Sequence, residues 1–457
     1  MSLQDRELVD SADRKIIARS LDQTLFVEAG AGSGKTTSLV DRIVNLVDVD
    51  GVPVTRIAAI TFTAAAATEL RTRVRDALEN RADDSRNAKL VDSAGQVESA
   101  AFSTLHGFAL RLLTDHPIEA GLPPGFGVVD EITSTLEFDE SWRIFLGQVG
   151  DDMSLLELQE RAAAMNIQLR QFAGVARRFD DNWDLVKLVS PEDSKLPETL
   201  SEMVFDDLLT AGLDDLRALL DLCIFQEDLY FDPLCAYIDD VERMIAAEPL
   251  DQIQTFLLLK LPRRNAGKKD SWRGGIESVR AVVQAFHDGM LARIDSYRQE
   301  VMESFISLVT DYVSERVEQR QLKGELAFHD LLVLARRLLR TDETVRRTLH
   351  QRYTRILLDE FQDTDPIQIE LAVLLASAEP VGERPWQEIA AELEPGRLVV
   401  VGDPKQSIYR FRRADIGVYS ETEQVLVDEP CRLTTNFRTV PGAVSYTHLT
   451  LPTTPYV

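Results

Sequence analysis

The stretch AGAGSGKTT, from Ala29 to Thr37, decides the fold of this chain. An apolar run from Leu25 to Glu28 precedes it, and residues 36–47 follow with the apolar spacing of a helix. This order predicts a strand, a phosphate-binding loop and a helix. Glycines allow the loop N–H groups to converge on one point, and the helix N-terminus adds a positive field. The expected ligand is therefore a triphosphate.

Lys35 and Thr36 give this loop its chemistry. Lys35 is predicted to reach the β- and γ-phosphates, and the Thr36 hydroxyl is predicted to bind Mg²⁺. Ala29 stands where the usual pattern begins with glycine. A glycine-rich turn before an ordinary helix is the alternative, but Lys and Thr at these offsets favour the phosphate loop. The candidate nucleotide-binding residues of the loop are Ala29, Gly30, Ala31, Gly32, Ser33, Gly34, Lys35, Thr36 and Thr37.

A second motif, ILLDEFQD at residues 356–363, supplies carboxylates. The apolar run from Arg355 to Leu358 predicts a central parallel strand whose carboxyl end faces the nucleotide. Asp359 is predicted to hold Mg²⁺, and Glu360 is the candidate for orienting and deprotonating the attacking water. An Asp-Glu pair alone is more often a solvated strand end. The phosphate loop upstream makes the catalytic interpretation the stronger one.

Four further blocks follow a familiar order: AITFTAAAATEL at 59–70, FSTLHGFALRLL at 102–113, VVGDPKQSIYRFRRAD at 400–415 and RLTTNFRT at 432–439. With them the chain resembles the UvrD/RecB-like superfamily 1 DNA helicases, and most of all the helicase-nuclease branch of RecB and AddA. The resemblance implies a RecA-like P-loop NTPase fold, an α/β doubly wound parallel sheet with a large helical insertion. It also implies ATP and Mg²⁺ as cofactors, and ATP-driven 3′ to 5′ movement on single-stranded DNA in repair or recombination.

The resemblance assigns further roles residue by residue. Gln406 corresponds to the residue that senses the γ-phosphate, Arg438 to an arginine brought to that phosphate, and Phe437 to the aromatic that flanks the adenine. The nucleic-acid-binding positions are Phe62, Thr63, Thr104, His106, Tyr409, Phe411 and Arg412. Aromatics with interleaved arginines suit sequence-tolerant single-strand binding. The alternatives stay open: the aromatics as core residues, His106 as a polar or capping residue, and Arg438 as a surface residue.

The chain departs from the family at the position of the adenine-reading glutamine, where Arg14 stands. Selectivity for ATP over other nucleotides is therefore open. The lysine common in the TFT block is also absent, and residues 64–67 are alanines. Arg413 stands where the family usually has a glycine. Neither the missing lysine nor Arg413 touches the hydrolytic chemistry.

The order of patterns predicts four segments. Residues 1–128 and 345–430 form the RecA-like ATP-binding motor domain, and residues 129–344 form a helical insertion. Within that insertion Val279, Val283, Phe286, Met290 and Ile294 recur at helical spacing. Residues 431–444 open a second motor domain. Residues 445–457, SYTHLTLPTTPYV, carry no charge and are interpreted as an artefactual tail, so the chain is expected to be the N-terminal portion of a longer protein.

Composition narrows the class of protein. The chain has 76 acidic and 50 basic residues, a net charge of −26, which disfavours a broad nucleic-acid-coating surface but allows a local groove. The most basic run, residues 262–275, is either a DNA contact or a solvated loop. Three scattered cysteines support neither a disulfide framework nor a zinc site. No apolar stretch approaches the roughly 20 residues that span a bilayer, and no secretory signal is apparent, so a cytoplasmic protein without a membrane partner is expected.

Two functions remain at this stage. The first is an ATP-dependent helicase on single-stranded DNA, for which the resemblance implies pairing with a second helicase-nuclease subunit. The second is a fragment that binds ATP and single-stranded DNA without turnover. An ATPase assay with and without single-stranded DNA distinguishes the two.

Overall fold

The computed structural model describes residues 8–189, 206–407 and 416–438. The strands are β1 Leu25–Ala29, β2 Ile57–Thr61, β3 Ala101–Thr104, β4 Gly127–Val128, β5 Glu325–Leu326, β6 Arg355–Leu358, β7 Leu398–Gly402 and β8 Cys431–Leu433. The helices up to the end of the helical region are α1 Ser11–Arg19, α2 Lys35–Asp48, α3 Ala64–Ser85, α4 Ala88–Gln96, α5 Leu105–Asp115, α6 Glu131–Asp151, α7 Met153–Ala164, α8 Ala173–Asp181, α9 Trp183–Val189, α10 Asp206–Ala218, α11 Phe231–Ile245, α12 Pro249–Leu258 and α13 Ile276–Lys323. The remaining helices are α14 Phe328–Thr341, α15 Glu343–Arg352, α16 Pro366–Ala376, α17 Trp386–Ala390 and α18 Ile416–Leu426.

Six strands form one parallel sheet in the order β3-β2-β6-β7-β1-β8. All residues of β2 and β7 are buried, as expected for strands covered by helices on both faces. Because every strand is parallel, the carboxyl ends of β1, β2, β6 and β7 meet at one edge of the sheet. The predicted α/β fold, a doubly wound parallel sheet with a helical insertion, is confirmed.

The chain divides into two compact units. The sheet unit covers the described residues up to Asp130 and from Gln321 onward, and the helical unit covers Glu131–Arg320. The apolar faces of α2 and α3 cover the sheet and pack on it through Leu39, Ile43, Leu70 and Val74. Among the described residues, no helix is long and apolar enough to cross a membrane.

The helical unit has a core of its own along α13. Val279, Val283, Phe286, Met290 and Ile294 are all buried there, so the helix predicted from their spacing is confirmed.

The basic run at residues 262–275 does not expose its aromatic side chain as a nucleic-acid stacking platform would. Its aromatic residue, Trp272, is buried and donates from Nε1 to Asp228 Oδ1 at 3.2 Å.

Two predicted boundaries need correction. The sequence predicts that the insertion ends at residue 344, whereas the helical unit ends at Arg320. Helix α14 belongs to the sheet unit because its buried face, which includes Leu331 and Leu338, packs against α5 and α16. Residues 431–433, predicted to open a second motor domain, instead form the edge strand β8, which pairs with β1. The predicted tail at 445–457 lies outside the described residues.

Candidate nucleotide-binding site

The phosphate loop joins the end of β1 to the start of α2, and its backbone requires glycine. Gly32 and Gly34 have φ of +73° and +82°, in the left-handed region. A Cβ on Gly32 would also come within 2.6 Å of Arg438 Cβ. The first N–H groups of α2 have no carbonyl partner within the helix. The buried Ser33 hydroxyl has no hydrogen-bond partner among the described residues. These unused donors fit a phosphate group.

Lys35 reaches from this loop to both carboxylates of the second motif. Its Nζ lies 2.6 Å from Glu360 Oε1 and 3.7 Å from Asp359 Oδ1. The contact is possible because β1 and β6 end at the same edge of the sheet, with only β7 between them. The structure thus brings together two motifs that lie at opposite ends of the sequence.

Asp359 is held by the neighbouring strand β2 and by the residue that follows it. Its backbone N–H donates to Ile60 of β2 at 2.8 Å, and its Oδ1 accepts the Glu360 N–H at 2.9 Å. Burial raises the pKa of Asp359 to about 6, although the nearby Lys35 ammonium opposes the shift. A cation beside this carboxylate would lower its pKa again.

Oxygen donors at this edge suit Mg²⁺. Thr36, half-buried in the first turn of α2, and Asp359 would supply a hydroxyl and a carboxylate. No group of three or more His, Cys, Asp or Glu within the described ranges could hold a metal ion alone. Mg²⁺ bound here would take its other ligands from nucleotide phosphates and water, as is usual for this ion.

Glu360 and Gln406 are joined through Gln362 and Asp403. Gln362 Nε2 donates to Glu360 Oε2 at 2.6 Å, and Gln362 Oε1 accepts the Asp403 N–H at 2.8 Å. Asp403 Oδ2 in turn accepts from Gln406 Nε2 at 2.6 Å and lies 3.9 Å from the position of a Cβ on Gly30. Gln406 is thus connected to both the carboxylate pair and the phosphate loop.

The segment after β8, residues 434–438, forms hydrogen bonds with the backbone of the phosphate loop. Phe437 N–H donates to Gly32 O at 2.8 Å, and Asn436 Nδ2 donates to Ala31 O at 3.1 Å. The Arg438 N–H donates to Asn436 Oδ1 at 2.8 Å. Phe437 and Arg438 are therefore beside the glycines that would receive the phosphates, and the Phe437 side chain is 60% exposed.

The model of the UvrD/REP helicase N-terminal domain matches residues 10–426 of the chain. The chain belongs to this helicase family. It is also similar to proteins of two Staphylococcus aureus strains that are named as an ATP-dependent helicase/nuclease subunit. With the protein of strain bovine RF122 / ET3-1 it shares 25% identity over 445 residues, which cover 88% of this chain and 35% of the relative. With that of strain USA300 / TCH1516 it shares 26% identity over 452 residues, again 88% of this chain and 35% of the relative. The chain thus spans about a third of the length of these relatives.

Arg14 lies at the same site. Its guanidinium donates to Ser33 O at 2.7 Å and lies 5.1 Å from the centroid of the Phe437 ring. The buried Asp10 accepts two hydrogen bonds from it, at 2.8 and 3.0 Å. Asp10 was not predicted as a site residue, and the contact between Arg14 and Phe437 joins residues that are separated by most of the chain.

The predicted nucleic-acid residues of this helicase domain lie at the ends of β2 and β3. Phe62 is half-buried and lines a small cavity together with Asp359, Glu360 and Gln368. Thr63 and Thr104 are the N-caps of α3 and α5, where their hydroxyl oxygens each accept a backbone N–H at 3.1 Å. Each hydroxyl keeps its own proton for donation. Tyr409, Phe411 and Arg412 lie outside the described residues.

His106 is in the first turn of α5 and stacks on Phe328. The ring centroids are 3.9 Å apart and the planes differ by 14°. Burial, together with the charge of His329, lowers the pKa of His106 to about 4. The ring is therefore neutral at pH 7, so it can reach a nucleic acid only as a neutral hydrogen-bonding group.

Proposed function

We propose that this chain is the ATP-binding part of a DNA helicase that moves along single-stranded DNA, 3′ to 5′, in repair or recombination. The observation that carries the proposal is the position of Lys35, whose Nζ lies 2.6 Å from Glu360 and 3.7 Å from Asp359. Family membership supports the helicase activity, and the polarity is the one that the resemblance to RecB-like helicases implies. We further propose that the protein acts in the cytoplasm beside a second helicase-nuclease subunit, because its relatives are named as subunits.

In the proposed hydrolysis, Lys35 binds the β- and γ-phosphates. When Lys35 moves to the phosphates, it leaves its ion pair with Glu360. The freed Glu360 carboxylate then orients the attacking water and accepts its proton. Thr36 and Asp359 hold Mg²⁺, which neutralises charge on the phosphates when bound. Gln406 senses the γ-phosphate, and Arg438 contributes positive charge to it. Such an arginine contributes about 10³–10⁵ to turnover in related reactions.

DNA binding is proposed at the edge that carries Phe62. Bases stack on Phe62, Tyr409 and Phe411, at about 1–3 kcal/mol for each stacked base. The strand's phosphates accept from Arg412, Thr63 and Thr104, and His106 adds a neutral contact. The half-exposed position of Phe62, next to Glu360 in one cavity, supports coupling between the strand and hydrolysis.

A second candidate is a fragment that binds ATP and single-stranded DNA without turnover. A translocating motor closes two RecA-like domains on ATP, whereas residues 8–189, 206–407 and 416–438 contain one large parallel sheet. The single sheet carries both the phosphate loop and Phe62, so it accounts for binding of both ligands without the closure that turnover requires.

The ATPase rate of the 457-residue chain with and without single-stranded DNA tests the proposal. We expect DNA to stimulate the wild-type rate, and Lys35→Ala to lower it by about 100-fold or more because the phosphate contact is lost. Lys89→Ala, an exposed lysine on α4, is the matched control and should behave as wild type. Undiminished DNA-stimulated hydrolysis by Lys35→Ala would refute the assignment. Binding of both ligands without wild-type turnover would support the second candidate.

A further inference from the structure

Asp10 forms a hydrogen-bonding centre outside the groups assigned to hydrolysis. Its buried carboxylate accepts Nε and Nη2 of Arg14, the N–H groups of Thr434 and Thr435, and the Thr435 hydroxyl, at 2.8–3.0 Å. Burial alone would raise the pKa of Asp10, but the hydrogen bonds from Arg14 and Thr435 outweigh it and hold the pKa well below its usual range. The carboxylate is therefore a charged anchor for the segment that carries Phe437 and Arg438.

Arg14 extends this anchor to the phosphate loop. One Nη2 contact goes to Ser33 O at 2.7 Å, and the guanidinium lies over the Phe437 ring, 5.1 Å from its centroid. A guanidinium at this distance is attracted to the ring face electrostatically. Phe437 is also tied to the loop through Gly32 O, yet its side chain is 60% exposed. Arg14 thus supports one face of the exposed Phe437 ring, beside the phosphate loop.

We propose that Asp10 and Arg14 are positioning residues for the base of the bound nucleotide. Arg14 supports one face of the Phe437 ring, and the other face stacks on the base. Asp10 fixes Arg14 through two hydrogen bonds and fixes the start of the 434–438 segment through the remaining three. The inference rests on the proposed function, because it requires that the phosphate loop holds a nucleoside triphosphate.

A ligand that lacks a base distinguishes an effect on base binding from an effect on phosphate binding by the loop. Calorimetry on the 457-residue chain with Mg²⁺ compares β,γ-imido ATP with inorganic tripolyphosphate. We expect Asp10→Asn to weaken binding of the ATP analogue by about tenfold, and to change tripolyphosphate binding by less than about twofold. Asp13→Asn is the matched control. Asp13 lies on α1, three residues after Asp10, but its carboxylate accepts the Arg432 N–H at 3.1 Å, and both affinities should stay unchanged.

Two more variants keep the test decisive if Asp10→Asn fails to fold. Arg14→Met removes the group that supports the ring but leaves the contacts of Asp10 with Thr434 and Thr435, and it should show the same selective loss. In a Phe437→Leu background, Arg14→Met should cause no further loss, because the supported ring is gone. Equal weakening of both ligands, or no weakening of the ATP analogue, overturns the inference. Failure of the wild-type chain to bind either ligand overturns the proposed function itself.

Discussion

Glu360 combines an unusual backbone with a fixed side chain. Its φ of +56° and ψ of +41° lie in the left-handed region, which costs a non-glycine residue on the order of 1–3 kcal/mol. Lys35 holds one carboxylate oxygen and Gln362 holds the other. The surrounding contacts therefore offset the backbone strain and place the carboxylate at the end of β6, beside the phosphate loop.

Replacing Glu360 by glutamine tests its proposed role. Glu360→Gln should lower DNA-stimulated ATP turnover by about 10²–10⁴, because the amide cannot accept the proton of water. Affinity for the ATP analogue should fall little, since the Lys35 side chain remains available for the phosphates. Steady-state ATPase rates and calorimetric titrations measure the two effects. Glu392→Gln, which alters an exposed carboxylate paired with Arg384, serves as control. Wild-type turnover in Glu360→Gln would remove this residue from the proposed chemistry.

The residues that sequence reasoning missed differ in how far they could have been found. Asp403 follows a buried strand directly, the same signal that singled out Asp359. Asp10 and Asn436 carry no such signal. Their partners lie more than 400 residues away in sequence, at Thr434 and Ala31. Contacts of this range depend on which strands are neighbours in the sheet, and local patterns do not contain that information.

At the scale of elements, apolar runs and periodicity predicted the strands and the longest helix well. The bounds of β6 match the predicted Arg355–Leu358. The division between units was predicted less well, because α14 has the same amphipathic pattern as the helices before it. Only its packing against α5 and α16 shows that it belongs with the sheet.

Arg42 links two elements that position the phosphate loop. It lies on α2, is fully buried, and donates to the carbonyls of Ile17, Ser20 and Gln23 at 2.8–3.2 Å. Burial lowers the pKa of Arg42 to about 10, which leaves it charged at neutral pH. These three carbonyls end α1 and lead into β1, so one side chain joins the helix that carries Arg14 to the helix that begins with Lys35.

Arg42→Met should remove this link while keeping most of the apolar volume. We expect the free energy of unfolding to fall by about 2–4 kcal/mol, because buried carbonyls are left without donors. Urea unfolding followed by circular dichroism measures the change. Arg81→Met is the control, since that arginine is exposed and pairs with Asp48 at the surface. It should shift the free energy by less than about 1 kcal/mol. Equal stability of wild type and Arg42→Met would contradict the proposed link.

At the scale of the whole molecule, the two compact units each bury an apolar core of their own. Ile43 lies in the core of the sheet unit and Ile294 in that of the helical unit, and both side chains are fully buried. The acidic excess is partly carried by exposed residues of the helical unit, such as Asp214, Asp215 and Asp239. The groups of the candidate nucleotide site all come from the sheet unit.

Separate cores and a site confined to one of them predict two thermal transitions with different ligand responses. Calorimetric scans should show that Ile43→Ala lowers one transition and Ile294→Ala the other, because each substitution leaves a cavity that costs about 2–5 kcal/mol. Mg²⁺ with β,γ-imido ATP should raise only the transition that Ile43→Ala lowers, since a ligand stabilises the unit that binds it. The same scans in Lys35→Ala should lose that rise and keep both transitions. A single transition that responds alike to both substitutions and to the ligand would show that the units unfold as one.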